Sequence, residues 1–108
     1  MIHIESPEQF ESEVTNFDGV VLVDFYADRC GPCKMLGPTI ENLAADYESD
    51  ESVKIAKIDV DKVPELAGKF GVMSIPTIIT FARGAETDKS VGVLTIDQLK
   101  SKIEESKK

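Results

Sequence analysis

The segment Val20 to Ala27, VVLVDFYA, carries β-branched and aromatic residues on both of its alternating faces, broken only by Asp24. A strand that is apolar on both sides belongs at the centre of a sheet covered by helices on both faces. The rest of the chain supplies such covers. Ser6-Pro7-Glu8-Gln9 is a helix start with a serine cap, a proline at the first helical position and a glutamine to close the box, and Phe10 and Val14 follow on one face. Lys34 to Tyr47 places Leu36, Ile40, Leu43, Ala44 and Tyr47 on one helical stripe, with Pro38 inside it to kink the helix. Val63, Leu66, Ala67 and Phe70 mark a short helix closed by Gly71. Thr95-Ile96-Asp97-Gln98 is a second capping box, opening a helix with Ile96, Leu99 and Ile103 inward and a polar tail from Glu104 expected to fray.

Further strands are expected at Ile2–Ile4, Val53–Val60 and Thr77–Phe81. A turn at Ala82-Arg83-Gly84-Ala85 leads to a last short strand at Lys89–Val93. The early alternation of strands and helices implies parallel pairing through right-handed crossovers, and the short final connection implies an antiparallel hairpin. The expected fold is α/β, a mixed central sheet with helices on both faces. At 108 residues the chain has room for one domain, spanning residues 1–108.

Twelve basic residues face twenty acidic ones, a formal charge of −8. Such a surface repels phosphate, which excludes nucleic acid as the expected partner, and its self-repulsion favours a monomer. The longest aliphatic run, Val20 to Val23, is far short of the ~20 residues that span a bilayer, so no membrane association is expected. The opening MIHIESPEQF has neither the basic nor the apolar region of a secretion signal, which points to the cytoplasm.

Only two cysteines are present, in Cys30-Gly31-Pro32-Cys33, between the two-faced strand and the helix that follows. Backbone N–H groups and the positive end of the helix dipole meet at such a junction, so a thiolate there is stabilised and its pKa falls. Cys30, at the helix start, is expected to be exposed; Cys33, about one turn inside, to be shielded. That asymmetry suits disulfide exchange, in which an outer thiolate attacks and an inner thiol resolves. Two other readings stand beside it. The pair is half of a zinc site, although His3 is the only histidine and a tetrahedral site wants four ligands, or the cysteines are buried and inert.

The sequence resembles the thioredoxin family over nearly its whole length. The resemblance rests on Val23-Asp24-Phe25-Tyr26-Ala27 running into Cys30-Gly31-Pro32-Cys33-Lys34, on Ala56 to Asp61, on Gly71 to Thr77, on Phe81-Ala82-Arg83-Gly84, and on Val91-Gly92. It implies a thioredoxin fold, with a five-stranded mixed sheet flanked by four helices, and a general protein-disulfide reductase activity. It also implies a Cys30–Cys33 redox disulfide with no bound cofactor or metal. The resemblance further implies that a flavin-containing reductase of the thioredoxin reductase type recharges the pair, and that disulfide-containing proteins are this chain's targets.

Matched residues carry implied roles. Asp24 is a proton acceptor and donor for Cys33, and burial should raise its pKa; the alternative is a structural aspartate held by local hydrogen bonds. Lys57, on the adjacent strand, is its neighbour. Ile75-Pro76 resembles the family's cis-proline loop, leaving the Ile75 backbone free to pair with an extended target segment. Gly92 lets a bound chain approach closely, or is a plain strand-end glycine. Gly31, Pro32, Val60, Met73, Ile75 and Val93 form an apolar contact rim.

The chain departs from the family in having no tryptophan. Tyr26 and Arg29 stand where the family usually carries one, and Arg29 puts a permanent charge directly before Cys30. A modest lowering of the Cys30 pKa relative to Arg29→Trp is expected, opposed by Asp24 if that carboxyl is ionised. The leading function is a dithiol reductant of cytosolic protein disulfides. A thiol oxidant or isomerase, or a noncatalytic binding module on the same fold, would differ in reduction potential and in tolerance of Cys30→Ser.

Overall fold

The computed structural model describes all residues 1–108. The elements run β1 (Ile2–Ile4), α1 (Pro7–Phe10) continuing as a π-helical segment (Glu11–Thr15), β2 (Val20–Tyr26), α2 (Gly31–Asp46), β3 (Val53–Asp59), α3 (Pro64–Lys69), β4 (Thr77–Ala82), β5 (Ala85–Val91) and α4 (Ile96–Ser106). The five strands form one mixed sheet in the order β1-β3-β2-β4-β5. As its two-faced apolar pattern requires, β2 lies at the centre, and every residue from Val20 to Phe25 is buried.

Alternation along β2 sorts the core into two layers. Val21, Val23 and Phe25 pack with Phe10 and Val14 from the α1 end and with Val63 and Leu66 around α3. Val20 and Leu22 pack on the other face with Leu36, Ile40 and Leu43 of α2 and Leu99 and Ile103 of α4. Burying each such side chain stabilises the fold by about 1.5–3 kcal/mol. Asp24 therefore continues the row of Val20 and Leu22, on the face that α2 covers.

Four local expectations are corrected. First, β1, β3 and β2 pair in parallel, but β4 runs antiparallel to β2, with Phe25 opposite Thr77 and Val20 opposite Ala82. The six-residue α3 does not carry the chain back along the sheet as a full crossover helix would. Second, the last strand is Ala85–Val91, not Lys89–Val93. It starts directly after a two-residue turn in which Arg83 and Gly84 both have positive φ (51° and 82°), the primed geometry of a tight hairpin. Its AETDKSV sequence is an exposed edge and lacks the apolar alternation that marks strands.

Third, Ser6 Oγ accepts the Gln9 N–H as a cap should, but Gln9 Oε1 accepts from the Glu5 N–H rather than from Ser6. Fourth, the tail does not fray at Glu104. The α4 helix continues to the buried Ser106, whose hydroxyl lies 2.8 Å from that of Thr87. Tyr47 donates to Glu104, and Lys107 pairs with Asp50. The second capping box is present, with both reciprocal bonds between Thr95 and Gln98.

Candidate active site

The Cys30–Cys33 pair lies where central strand becomes helix. Four residues past the end of β2, Cys30 adopts extended backbone angles and caps α2, and its Sγ accepts the N–H of Cys33 at 3.2 Å. The two are joined as a disulfide, with Cα atoms 5.2 Å apart. Pro32 occupies the first turn, where its missing N–H removes no helical bond. Pro38 lies further along one continuous helix. When the disulfide opens, a negative charge on Cys30 Sγ falls on the unpaired N–H groups of the helix start.

The expected difference in exposure is not found. Cys30 is 8% exposed and Cys33 5%, so in the oxidised protein both are buried. The Cys30 sulfur is covered because it is bonded to Cys33 and nested with Ala27, Tyr26, Val60 and Ile75, lying 3.7 Å from the Ile75 carbonyl oxygen. The two sulfurs differ in bonding instead. Cys30 Sγ takes a helix N–H, and Cys33 Sγ takes none.

Asp24 has no exposed surface, and neither carboxyl oxygen has a hydrogen-bond partner. No local hydrogen bond holds the carboxyl. Loss of solvation raises its pKa from 3.8 to about 6, against a smaller opposing pull from the Lys57 charge. Near neutrality such a carboxyl both gives and takes a proton readily. It shares the α2-facing side of β2, and Cys33 is the first buried side chain of that helix.

Lys57 is the direct cross-strand neighbour of Asp24 on β3. It makes no ion pair with it. Its ammonium sits over the Tyr26 ring instead, 4.2 Å from the centroid.

The Ile75–Pro76 bond is cis, and the Ile75 N–H makes no hydrogen bond within the chain. Gly92 donates to the Pro76 carbonyl at 2.9 Å. Its φ of 103° is open only to glycine, and a methyl group there would project into empty space. Of the expected rim, Gly31, Pro32, Met73 and Val93 are exposed, Met73 almost completely, while Val60 and Ile75 are half-buried beside the disulfide. No three His, Cys, Asp or Glu side chains are grouped to hold a metal ion.

Sequence reasoning missed what four residues contribute. Asp61 takes the Arg29 guanidinium in a two-bond pair. The β2–β3 register, with Tyr26 opposite Asp59, brings the two strand exits together and was the available signal. Tyr26 takes a cation, the Lys57 ammonium, over its ring. Met35 and Val91 add exposed apolar surface, 72% and 64% open, that no periodicity explains.

The thioredoxin family model matches residues 1–105. Thioredoxin 2 of Chlorobaculum tepidum is 45% identical over 104 residues, covering 95% of this chain and 94% of its own. The thioredoxin of Staphylococcus aureus is 54% identical over 83 residues, 77% of this chain and 76% of that one. Among solved structures, the thioredoxin of Fasciola hepatica has a TM-score of 0.88 at 31% identity, covering 99% of this chain and all of that one. A mutant thioredoxin from Halobacterium salinarum has a TM-score of 0.86 at 39% identity, covering 99% and 90%. With a redox-active cysteine pair at the mouth of α2, the chain is a thiol-disulfide oxidoreductase whose chemistry is dithiol–disulfide exchange, with a reductase and disulfide-bearing proteins as its general partners. It belongs to the thioredoxin family.

Proposed function

We propose that the chain works as a monomeric cytoplasmic domain of residues 1–108 that donates electrons to protein disulfides, and that the site residues divide the labour as follows. The Cys30 thiolate attacks one sulfur of a target disulfide. That bond breaks, a Cys30–target mixed disulfide forms, and the released target thiolate takes a proton. Cys33 then gives its proton to the Asp24 carboxylate and attacks Cys30 Sγ. The mixed disulfide breaks, the second target thiolate leaves and is protonated, and the Cys30–Cys33 disulfide is restored. Two electrons have passed to the target. A flavoprotein reductase drawing on NADPH returns them.

The observation that carries this reading is the Cys33 N–H directed at Cys30 Sγ, which favours that sulfur as the anion once the disulfide opens. Other features support it. The unbonded Ile75 N–H offers an extended target segment a backbone partner beside the disulfide. Gly31, Pro32, Val60, Met73, Ile75 and Val93 supply apolar contact around it, and Gly92 leaves room for the target backbone. No helix is long and apolar enough to cross a membrane.

Trapping tests the assignment. Cys33→Ser should accumulate mixed disulfides at Cys30, and Cys30→Ser should form none. Equal trapping by both variants would overturn the division between attacking and resolving thiols. A reduction potential well above that of the glutathione pool would make the protein an oxidant instead.

A further inference from the structure

Lys57 stands between two partners. In the parallel β2–β3 pair it lies directly opposite Asp24, and Tyr26 follows two residues on along the same face of β2. An unpaired buried carboxyl next to an ammonium group would ordinarily capture it. Here the carboxyl has no hydrogen bond, Lys57 has no carboxylate within ion-pair distance, and the ammonium lies 4.2 Å above the Tyr26 ring. Around Lys57 the other titratable groups of the crevice are His3 and Glu5 from β1 and its exit, Asp59 on its own strand and Lys62 beyond it; none bonds to Lys57. Around Asp24, β4 brings the apolar Ile78, and Cys33 is the first buried side chain of α2, the helix that covers this face.

We propose that Tyr26 is a positioning residue for Asp24: its ring holds the Lys57 ammonium away from the buried carboxyl, which is thereby left free to exchange a proton instead of being locked as the anion of an ion pair. A cation over an aromatic face is attracted by the ring quadrupole while shedding little of its hydration. The ring thus competes with Asp24 for one charge. When Asp24 is ionised the balance tips toward the carboxylate, and when it is protonated the ammonium returns to the ring. The inference rests on the reading of Asp24 as the proton partner of Cys33, but its test does not.

The test follows the Asp24 carboxyl carbon by NMR through a pH titration of the oxidised protein. Tyr26→Phe keeps the ring and should leave the Asp24 titration in place. Tyr26→Leu removes it and should increase the Asp24 acid dissociation constant about tenfold, the worth of one cation–π contact. In a Lys57→Met background the same Tyr26→Leu change should have no such effect. An unchanged titration in Tyr26→Leu overturns the proposal, as does a shift that persists undiminished without Lys57, since that would report water entry alone. The unaltered protein provides a second check. The Lys57 ε-methylene protons should be shifted upfield by the ring at low pH and lose that shift as Asp24 ionises; no upfield shift at any pH overturns the proposal. If the titration moves as expected but the pH profile of disulfide exchange does not follow it, the positioning stands and the proton-transfer reading of Asp24 fails.

Discussion

Arg29 donates two hydrogen bonds to Asp61, from Nε to Oδ2 at 3.0 Å and from Nη2 to Oδ1 at 3.1 Å. Both side chains stay more than half exposed, so the pair adds little to stability. Its consequence lies in charge. The cation directly before Cys30 is matched by an anion, and the modest effect on the Cys30 thiolate expected from an unpaired arginine shrinks further. Arg29→Trp should move the thiolate absorbance titration by no more than about half a pH unit, the scale of one exposed charge. Asp61→Asn both frees the guanidinium and removes an anion, and should lower that titration by more. A larger shift from Arg29→Trp than from Asp61→Asn would show that the bridge does not neutralise Arg29.

Asp24 makes stability depend on pH in an unusual direction. Its folded-state pKa is raised from 3.8 to about 6, so between those values the native state holds a proton that the unfolded chain has lost. Stability therefore falls as pH rises through this window. The loss is complete above about pH 6 and amounts to about 3 kcal/mol. Asp24→Asn abolishes the titration. Denaturant unfolding of the two oxidised proteins at a series of pH values should give curves that separate between about pH 4 and 6 and run parallel outside it. Curves parallel throughout would mean that the carboxyl ionises without penalty.

The parts of this molecule legible in its sequence are those where one residue's chemistry breaks a local pattern. Asp24 in an apolar strand announced a buried carboxyl, and Val20 to Phe25 announced the centre of the sheet. The two-cysteine junction and the Ile75–Pro76 turn were likewise visible where they stand. What escaped depends on partners distant along the chain. The Arg29–Asp61 pair joins residues 32 apart, and the Lys57–Tyr26 contact exists only once β2 and β3 are in register. Edge strand β5 escaped for another reason: with its side chains in water, nothing selects for apolar alternation. The burial of Cys30 escaped because the disulfide and the Ile75 loop, not the helix start alone, decide what covers the sulfur.

The hairpin turn offers a control remote from the chemistry. Gly84 has φ 82°, and a Cβ there would collide with the Thr15 carbonyl at the end of the π-helical segment. Gly84→Ala should cost roughly 1–3 kcal/mol from backbone strain, with the collision added. Because Ala82 pairs with Val20 at the opposite end of β2 from Cys30, the folded fraction should exchange disulfides at an unaltered rate. A rate that falls in step with the midpoint of unfolding would show that the turn and the cysteines are coupled.

Gly92 tests the docking surface directly. It is tied to the loop before β4 through the Pro76 carbonyl, its φ of 103° suits only glycine, and the space a side chain would enter is open. Gly92→Ala should therefore do two separable things. Strain should lower stability by about 1–3 kcal/mol. The methyl group, standing where a target backbone would lie beside Ile75, should raise KM for a protein disulfide several-fold while leaving the rate with a small aliphatic disulfide nearly unchanged. A methyl group that only strains the backbone would leave the protein-to-small-disulfide rate ratio unchanged. Measuring that ratio in the folded variant thus separates a docking role for Gly92 from a purely conformational one.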